Sequence, residues 1–118
     1  MAKVYAFDVD ETLEISAGPI PLQALMDLRI EGHIVGICGN MQVFCSVPGW
    51  YHLVSFLGQS YLPKDAFLHG LMVNIPAEEY IMVGNILGVS GASDDQGAAQ
   101  RAGWRFIKES DFAAGERK

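Results

Sequence analysis

Basic residues are scarce in this chain: eight Lys and Arg stand against fourteen Asp and Glu, a formal net charge of −6. They are also scattered, with no run longer than Arg117-Lys118. Binding along a nucleic-acid backbone draws on clustered Lys and Arg, so no nucleic acid is expected as a partner. Cysteine is nearly absent, and Cys38 and Cys45 form neither a CxxC pair nor a disulfide framework. Both are expected as reduced thiols. No apolar run approaches the ~20 residues that cross a bilayer, and no N-terminal pattern marks a signal peptide. The expectation is a soluble, cytoplasmic chain with no membrane partner. A charged fraction of only 19% beside a hydrophobic fraction of 50% argues against disorder. At 118 residues there is room for a single core, so one domain over 1–118 is expected.

What the chain does have is an apolar run of strand type, Val4-Tyr5-Ala6-Phe7, that stops at Asp8-Val9-Asp10-Glu11-Thr12. Strands buried on both faces read as near-continuous apolar runs, and ligands of open α/β sheets sit beyond the carboxyl ends of the strands. Side chains at i and i+2 of a strand share a face, so the charges of Asp8 and Asp10 repel unless a cation or shared proton relieves them. A hard divalent metal is the natural relief.

The remaining pattern alternates. Loop chemistry at Gly18-Pro19 and Pro21 precedes Leu22, Leu25, Met26 and Ile30 at helical spacing, and Gly32 ends that helix. His33 to Cys38 is a second apolar strand, bounded by Gly39-Asn40. The stretch 41–62 is poorly periodic and reads as a helix beginning near Pro48. A helix over 65–72, a strand over 80–83, a helix opened by Ser93 as N-cap with Gln96 three residues on, and a strand over 104–107 complete the chain before a polar tail. Strands alternating with helices predict an α/β fold, a three-layer α/β/α sandwich on a mostly parallel sheet.

The Asp8-Val9-Asp10-Glu11-Thr12 segment resembles the DxDxT motif that opens the haloacid dehalogenase-like (HAD) hydrolase superfamily, and downstream segments follow in the family's order. Lys64, in a Pro63-Lys64 pair, resembles the third-motif lysine. Residues 76–84 resemble the run into the fourth motif, and 96–104 resemble the helix after it. The resemblance implies a Rossmann-like strand order and a magnesium-dependent phosphohydrolase working through an aspartyl phosphate. In that role Asp8 is the nucleophile, Asp10 the general acid/base and Lys64 the neutralising cation. Thr12, Cys38, Gly39 and Asn40 would bind the substrate phosphate, and Asp8, Asp10, Asn85 and Asp95 would hold Mg²⁺, with Asp94 the alternative to Asp95. The dehalogenase branch of that superfamily lacks this second aspartate, so the resemblance at Asp10 favours phosphate over halide substrates.

Two positions depart from the family pattern. Cys38 stands where a Thr or Ser hydroxyl holds phosphoryl oxygens, and Asn85 stands where an Asp serves the metal. An amide oxygen still ligates Mg²⁺ but brings no charge. No segment is long enough for a sizeable cap, so the implied site is open, serving bulky or macromolecular phosphorylated substrates or closed by a partner subunit, a homo-oligomer included. Rival readings are a non-catalytic binding or assembly module on the same fold, and a phosphoacceptor receiver domain, which fits worse because its aspartate follows a middle strand. His33, His52 and His69 have no ligand spacing, and Trp50-Tyr51 reads either as packing or as a stacking platform.

Overall fold

The computed structural model describes residues 2–58, 62–91 and 94–117. Among these the strands are β1 (Lys3–Phe7), β2 (Ile34–Ile37), β3 (Phe56–Leu57), β4 (Glu79–Gly84) and β5 (Arg105–Lys108). All pair in parallel in one sheet of order β3-β2-β1-β4-β5. The chain therefore starts at the centre, works outward to one edge, then crosses back to build the other, a Rossmann-like arrangement. Sequential parallel strands need crossovers, and helices supply them on both faces.

The strand at the centre shows why there are three layers. Tyr5 and Phe7 enter one core with Val35, Ile37, Ile81, Val83 and Ile107, while Val4 and Ala6 enter the other with Met82. The first core is closed by α1 (Leu22–Ile30), α2 (Met41–Phe44) and α5 (Glu109–Ala113) through Leu25, Leu28, Phe44 and Phe112. The second is closed by α3 (Lys64–Asn74) and α4 (Asp95–Ala102) through Leu68, Ala98, Ala99 and Ala102. Phe112 stands edge-on to Phe7, ring centroids 5.2 Å apart at 88°, a favourable quadrupole geometry. Trp104 anchors the second layer by donating from Nε1 to the Leu68 carbonyl at 3.1 Å.

Several sequence expectations need correction. Ile30 is 75% exposed, and Leu28 is buried in its place, so the inner stripe of α1 runs through Leu25 and Leu28. No helix begins at Pro48: the stretch holds α2 ahead of it, a single 3-10 turn at Trp50–His52 and the edge strand β3. That strand is too short to show a period of two, and among the described residues it pairs only with β2, at Gly36↔Phe56 and Ile37↔Leu57. Gly36 is required there, because a Cβ would fall on the Phe56 ring. The polar tail contains α5, a five-residue helix whose one large buried anchor is Phe112. Ser93, expected as an N-cap, lies outside the described residues; α4 begins at Asp95, and Asp94 Oδ1 accepts from the Gly97 N–H at 3.1 Å. Trp50 packs edge-on to Phe44, which favours the packing reading of Trp50-Tyr51.

Among the described residues no sizeable cap domain is present: the segments between β1 and β2 and between β2 and α3 are used by core elements. No helix among the described residues is long and apolar enough to cross a membrane. Leu68 is fully buried at the middle of α3 and joins that helix to the second core. Leu68→Ala is expected to lower unfolding stability by about 2–5 kcal/mol, the usual cost of truncating a buried leucine, measured by urea denaturation.

Candidate active site

The carboxyl ends of the three central strands finish level with one another. The Asp8 N–H donates to the Val83 carbonyl at 2.9 Å, and the Cys38 N–H to the Phe7 carbonyl at 2.8 Å. Beyond that level lies the place where a doubly wound sheet binds its ligands. Asp8 occupies it at the end of β1 and is only 2% exposed.

Three elements converge on Asp8. Its Oδ2 accepts from Thr12 Oγ1 at 3.3 Å, and its Oδ1 accepts from Lys64 Nζ at 3.0 Å. Lys64 is the first residue of α3, directly after Pro63, so its side chain reaches the strand ends from the helix start. The same ammonium donates to Asp95 Oδ1 at 2.5 Å, and Asp95 Oδ2 accepts from the Asn85 N–H at 2.8 Å. Two glycines clear the space. A Cβ at Gly39 would stand 2.5 Å from Asp8 Oδ1, and one at Gly84 would overlap the Asp95 carboxylate.

Asp10 is held apart from this group. Regular strand geometry ends at Phe7, and Glu11 takes a left-handed conformation, φ 59°, in the turn that follows. The period-two argument that placed Asp8 and Asp10 side by side lapses where the strand does. Asp10 Oδ1 accepts from Ser16 Oγ at 2.7 Å, and both of its oxygens lie 3.4 Å from Asn40 Nδ2. Ser16, which sequence reasoning did not single out, thus orients Asp10, and the Glu11 N–H donating to the Ser16 carbonyl at 2.7 Å closes the loop. Asn40 has a second task as N-cap of α2, its Oδ1 accepting from the Val43 N–H at 3.3 Å.

The electrostatics follow from one ammonium serving two buried acids. Burial raises Asp8 to about 7, with Lys64 opposing and the Asp95 charge adding to the rise. Burial alone would lower Lys64, but Asp8 and Asp95 together hold it above its ordinary value. Cys38, 2% exposed at the end of β2, is pushed up to about 12 by burial, so it is a neutral thiol and a weak donor.

Asn85, fully buried after β4, has its backbone rather than its side chain in this network. Its Nδ2 donates to the Glu11 carbonyl at 3.3 Å and to Glu109 Oε2 at 3.1 Å, and its Oδ1 has no hydrogen-bond partner among the described residues. Glu109, also outside the sequence-based candidates, is 5% exposed at the start of α5 and accepts from Ser90 Oγ at 3.1 Å as well. A glutamate following an apolar strand was the available signal.

For a cation, no group of three His, Cys, Asp or Glu side chains comes together among the described residues. Asp95 has both oxygens engaged, and Asp94 is occupied as a helix cap beside Arg101. Asp8 likewise accepts at both oxygens and would hold Mg²⁺ only in place of the Thr12 or Lys64 contact, so the amide oxygen of Asn85 is the unpartnered hard donor of the expected set, chemistry that fits Mg²⁺ with little charge behind it. No protein-family model, curated protein or solved structure matches the chain.

Because the fold raises Asp8, the contribution of this group to stability is complete below about pH 4 and is lost as pH rises through about 7. Asp8→Asn is therefore expected to raise the thermal midpoint by several degrees at pH 8 and to change it little at pH 4, read by calorimetry at both values. Lys64→Met leaves two buried carboxylates without their cation and should cost about 3–5 kcal/mol at pH 8, measured by denaturant unfolding.

Proposed function

We propose that this chain is a phosphomonoesterase of the HAD-like kind, dependent on Mg²⁺ and working through an aspartyl phosphate on Asp8. The observation that carries the reading is the pairing of a carboxylate at the centre of the sheet with Lys64 Nζ at 3.0 Å, while Asp10 is held separately on neutral donors. A nucleophile and a proton carrier need such separate environments to hold different protonation states.

In this mechanism an Asp8 oxygen attacks the phosphorus in line with the leaving oxygen. The bond from phosphorus to that oxygen breaks, and Asp10 gives the departing alkoxide its proton. Lys64 offsets negative charge on Asp8 and on the transferring group, and Thr12 holds the carboxylate through Oδ2. The Gly39 and Asn40 amides, with the Asn40 side chain, take the place of the missing hydroxyl at position 38 as phosphate donors. Asp10 then accepts a proton from water, whose oxygen attacks phosphorus, releases inorganic phosphate and regenerates Asp8. When bound, Mg²⁺ supplies neutralisation of the phosphoryl oxygens, with Asp8, the Asp10 carbonyl and the Asn85 amide oxygen as its holders.

Without a cap, a site at the strand ends suits bulky or macromolecular phosphorylated substrates, and a second copy of the chain is the alternative cover. The free thiols Cys38 and Cys45 accord with a reducing, cytoplasmic setting. The uncharged Asn85 and the Cys38 thiol are the observations that favour the second reading, a binding or assembly module on a catalytically degenerate core.

Phosphate release from a panel of phosphomonoesters decides between them. Turnover should need Mg²⁺, disappear with chelator and fall roughly a thousandfold or more in Asp8→Asn. Because Asp8 attacks only when ionised, the acid limb should rise with pH through about 7. A folded chain that releases no phosphate from any member of the panel leaves the binding module as the reading.

A further inference from the structure

Asn85 and Glu109 present a donor and acceptor match that neither residue's part in the proposed chemistry explains. Both are buried, 0% and 5% exposed, and they come from elements remote in sequence, the end of β4 and the start of α5. A buried carboxylate with no nearby cation must be satisfied by donors. Glu109 Oε2 receives two neutral ones, Asn85 Nδ2 at 3.1 Å and Ser90 Oγ at 3.1 Å. Ser90 Oγ also accepts from the Ile86 N–H at 3.0 Å, which ties the loop over 86–91 to the same carboxylate.

The amide of Asn85 has one edge that donates and one that accepts. Its donating edge meets two acceptors, Glu109 Oε2 and the Glu11 carbonyl. Turning the amide over would set Oδ1 against both of those oxygens, so its orientation is dictated from outside the residue. Gly91 lets the amide lie there, since a Cβ at that position would come within 2.6 Å of Asn85 Cγ.

We propose that Asn85 and Glu109 are a matched amide and carboxylate pair, with Glu109 the positioning residue that sets the Asn85 amide and leaves Oδ1 as its uncommitted oxygen. The negative charge missing at position 85 stands one side chain further out, at position 109. An aspartate at 85 would face a second buried carboxylate across the distance now spanned by a hydrogen bond. The pairing stands on these contacts alone; its consequence for Mg²⁺ rests on the phosphohydrolase reading.

The test is a double-mutant cycle in the full chain with Asn85→Asp, Glu109→Gln and the two combined, followed by thermal unfolding at pH 8. Asn85→Asp places two carboxylates together and should lower the midpoint by roughly 10 °C. Adding Glu109→Gln restores a carboxylate and amide pair in reversed order while leaving the Glu11 carbonyl without its donor, so the second substitution should recover part of that loss. A Glu109 that merely fills space predicts a further loss instead. A double variant no more stable than Asn85→Asp overturns the proposal. If Asn85→Asp alone does not fold, recovery of folded protein in the double variant is the expected result, and failure of both while Glu109→Gln folds overturns it.

The side-chain amide of Asn85 gives a second readout in ¹⁵N-labelled protein, its resonances identified by their loss in the foldable Asn85→Asp double variant. Glu109→Ala should shift them and speed their exchange with water, and unchanged resonances in folded Glu109→Ala overturn the positioning role. Titration with MgCl₂ separates this inference from the one beneath it. Tighter binding by the double variant than by the wild type places residue 85 on the cation. Binding absent in every variant, with stability still coupled, removes the Mg²⁺ reading and leaves the pair intact.

Discussion

One ammonium group lies between two buried carboxylates, and most of the site's geometry serves that arrangement. Lys64 Nζ holds Asp8 at 3.0 Å and Asp95 at 2.5 Å, and the three residues begin or follow β1, α3 and α4. Each acid would be costly to bury alone, and a shared cation offsets only part of that cost. Helix α3 must therefore start at Lys64 and helix α4 at Asp95, with their side chains turned to one point above the sheet. Pro63 suits the first requirement, because it pre-sets the backbone at a helix start. Gly84 suits the second, because anything larger would displace the Asp95 carboxylate.

The same constraint divides labour among the acids. Asp8 takes the cation and a hydroxyl, and Asp95 takes the cation and a backbone N–H. Asp10 sits on the outer turn with Ser16 and Asn40, in a half-buried setting made of neutral donors. Glu109 is satisfied by an amide and a hydroxyl, with no cation paired to it among the described residues. Four carboxyl groups near one sheet end thus reach four environments, and differing environments are what allow similar side chains to play different parts.

How much of this was legible beforehand depended on whether the signal was local. The apolar run ending at Asp8, the helix stopped by Gly32 and the short strand before Gly84 carry their own patterns, and each element stands close to its expected place. The edge strand β3 and helix α5 carry almost none: two residues show no period, and five residues with one large anchor look like a polar tail. Ile30 shows the limit of counting apolar residues at helical spacing, since Leu28 fits the inner face as well and the packing of α1 against β2 decides between them.

The amino-acid sequence by itself determined the layered α/β class, the central strand and the candidate acids and lysine, because hydrophobic period, strand-end position and turn residues are local properties. Only the tertiary structure decided which side chains share an atom. Asp8 shares Lys64 with Asp95 and stands apart from Asp10, and Asn85 answers to Glu109, 24 residues further along the chain. Those pairings depend on strand order and on where each helix begins, and residues brought together by a crossover leave no trace of their meeting in the sequence spacing.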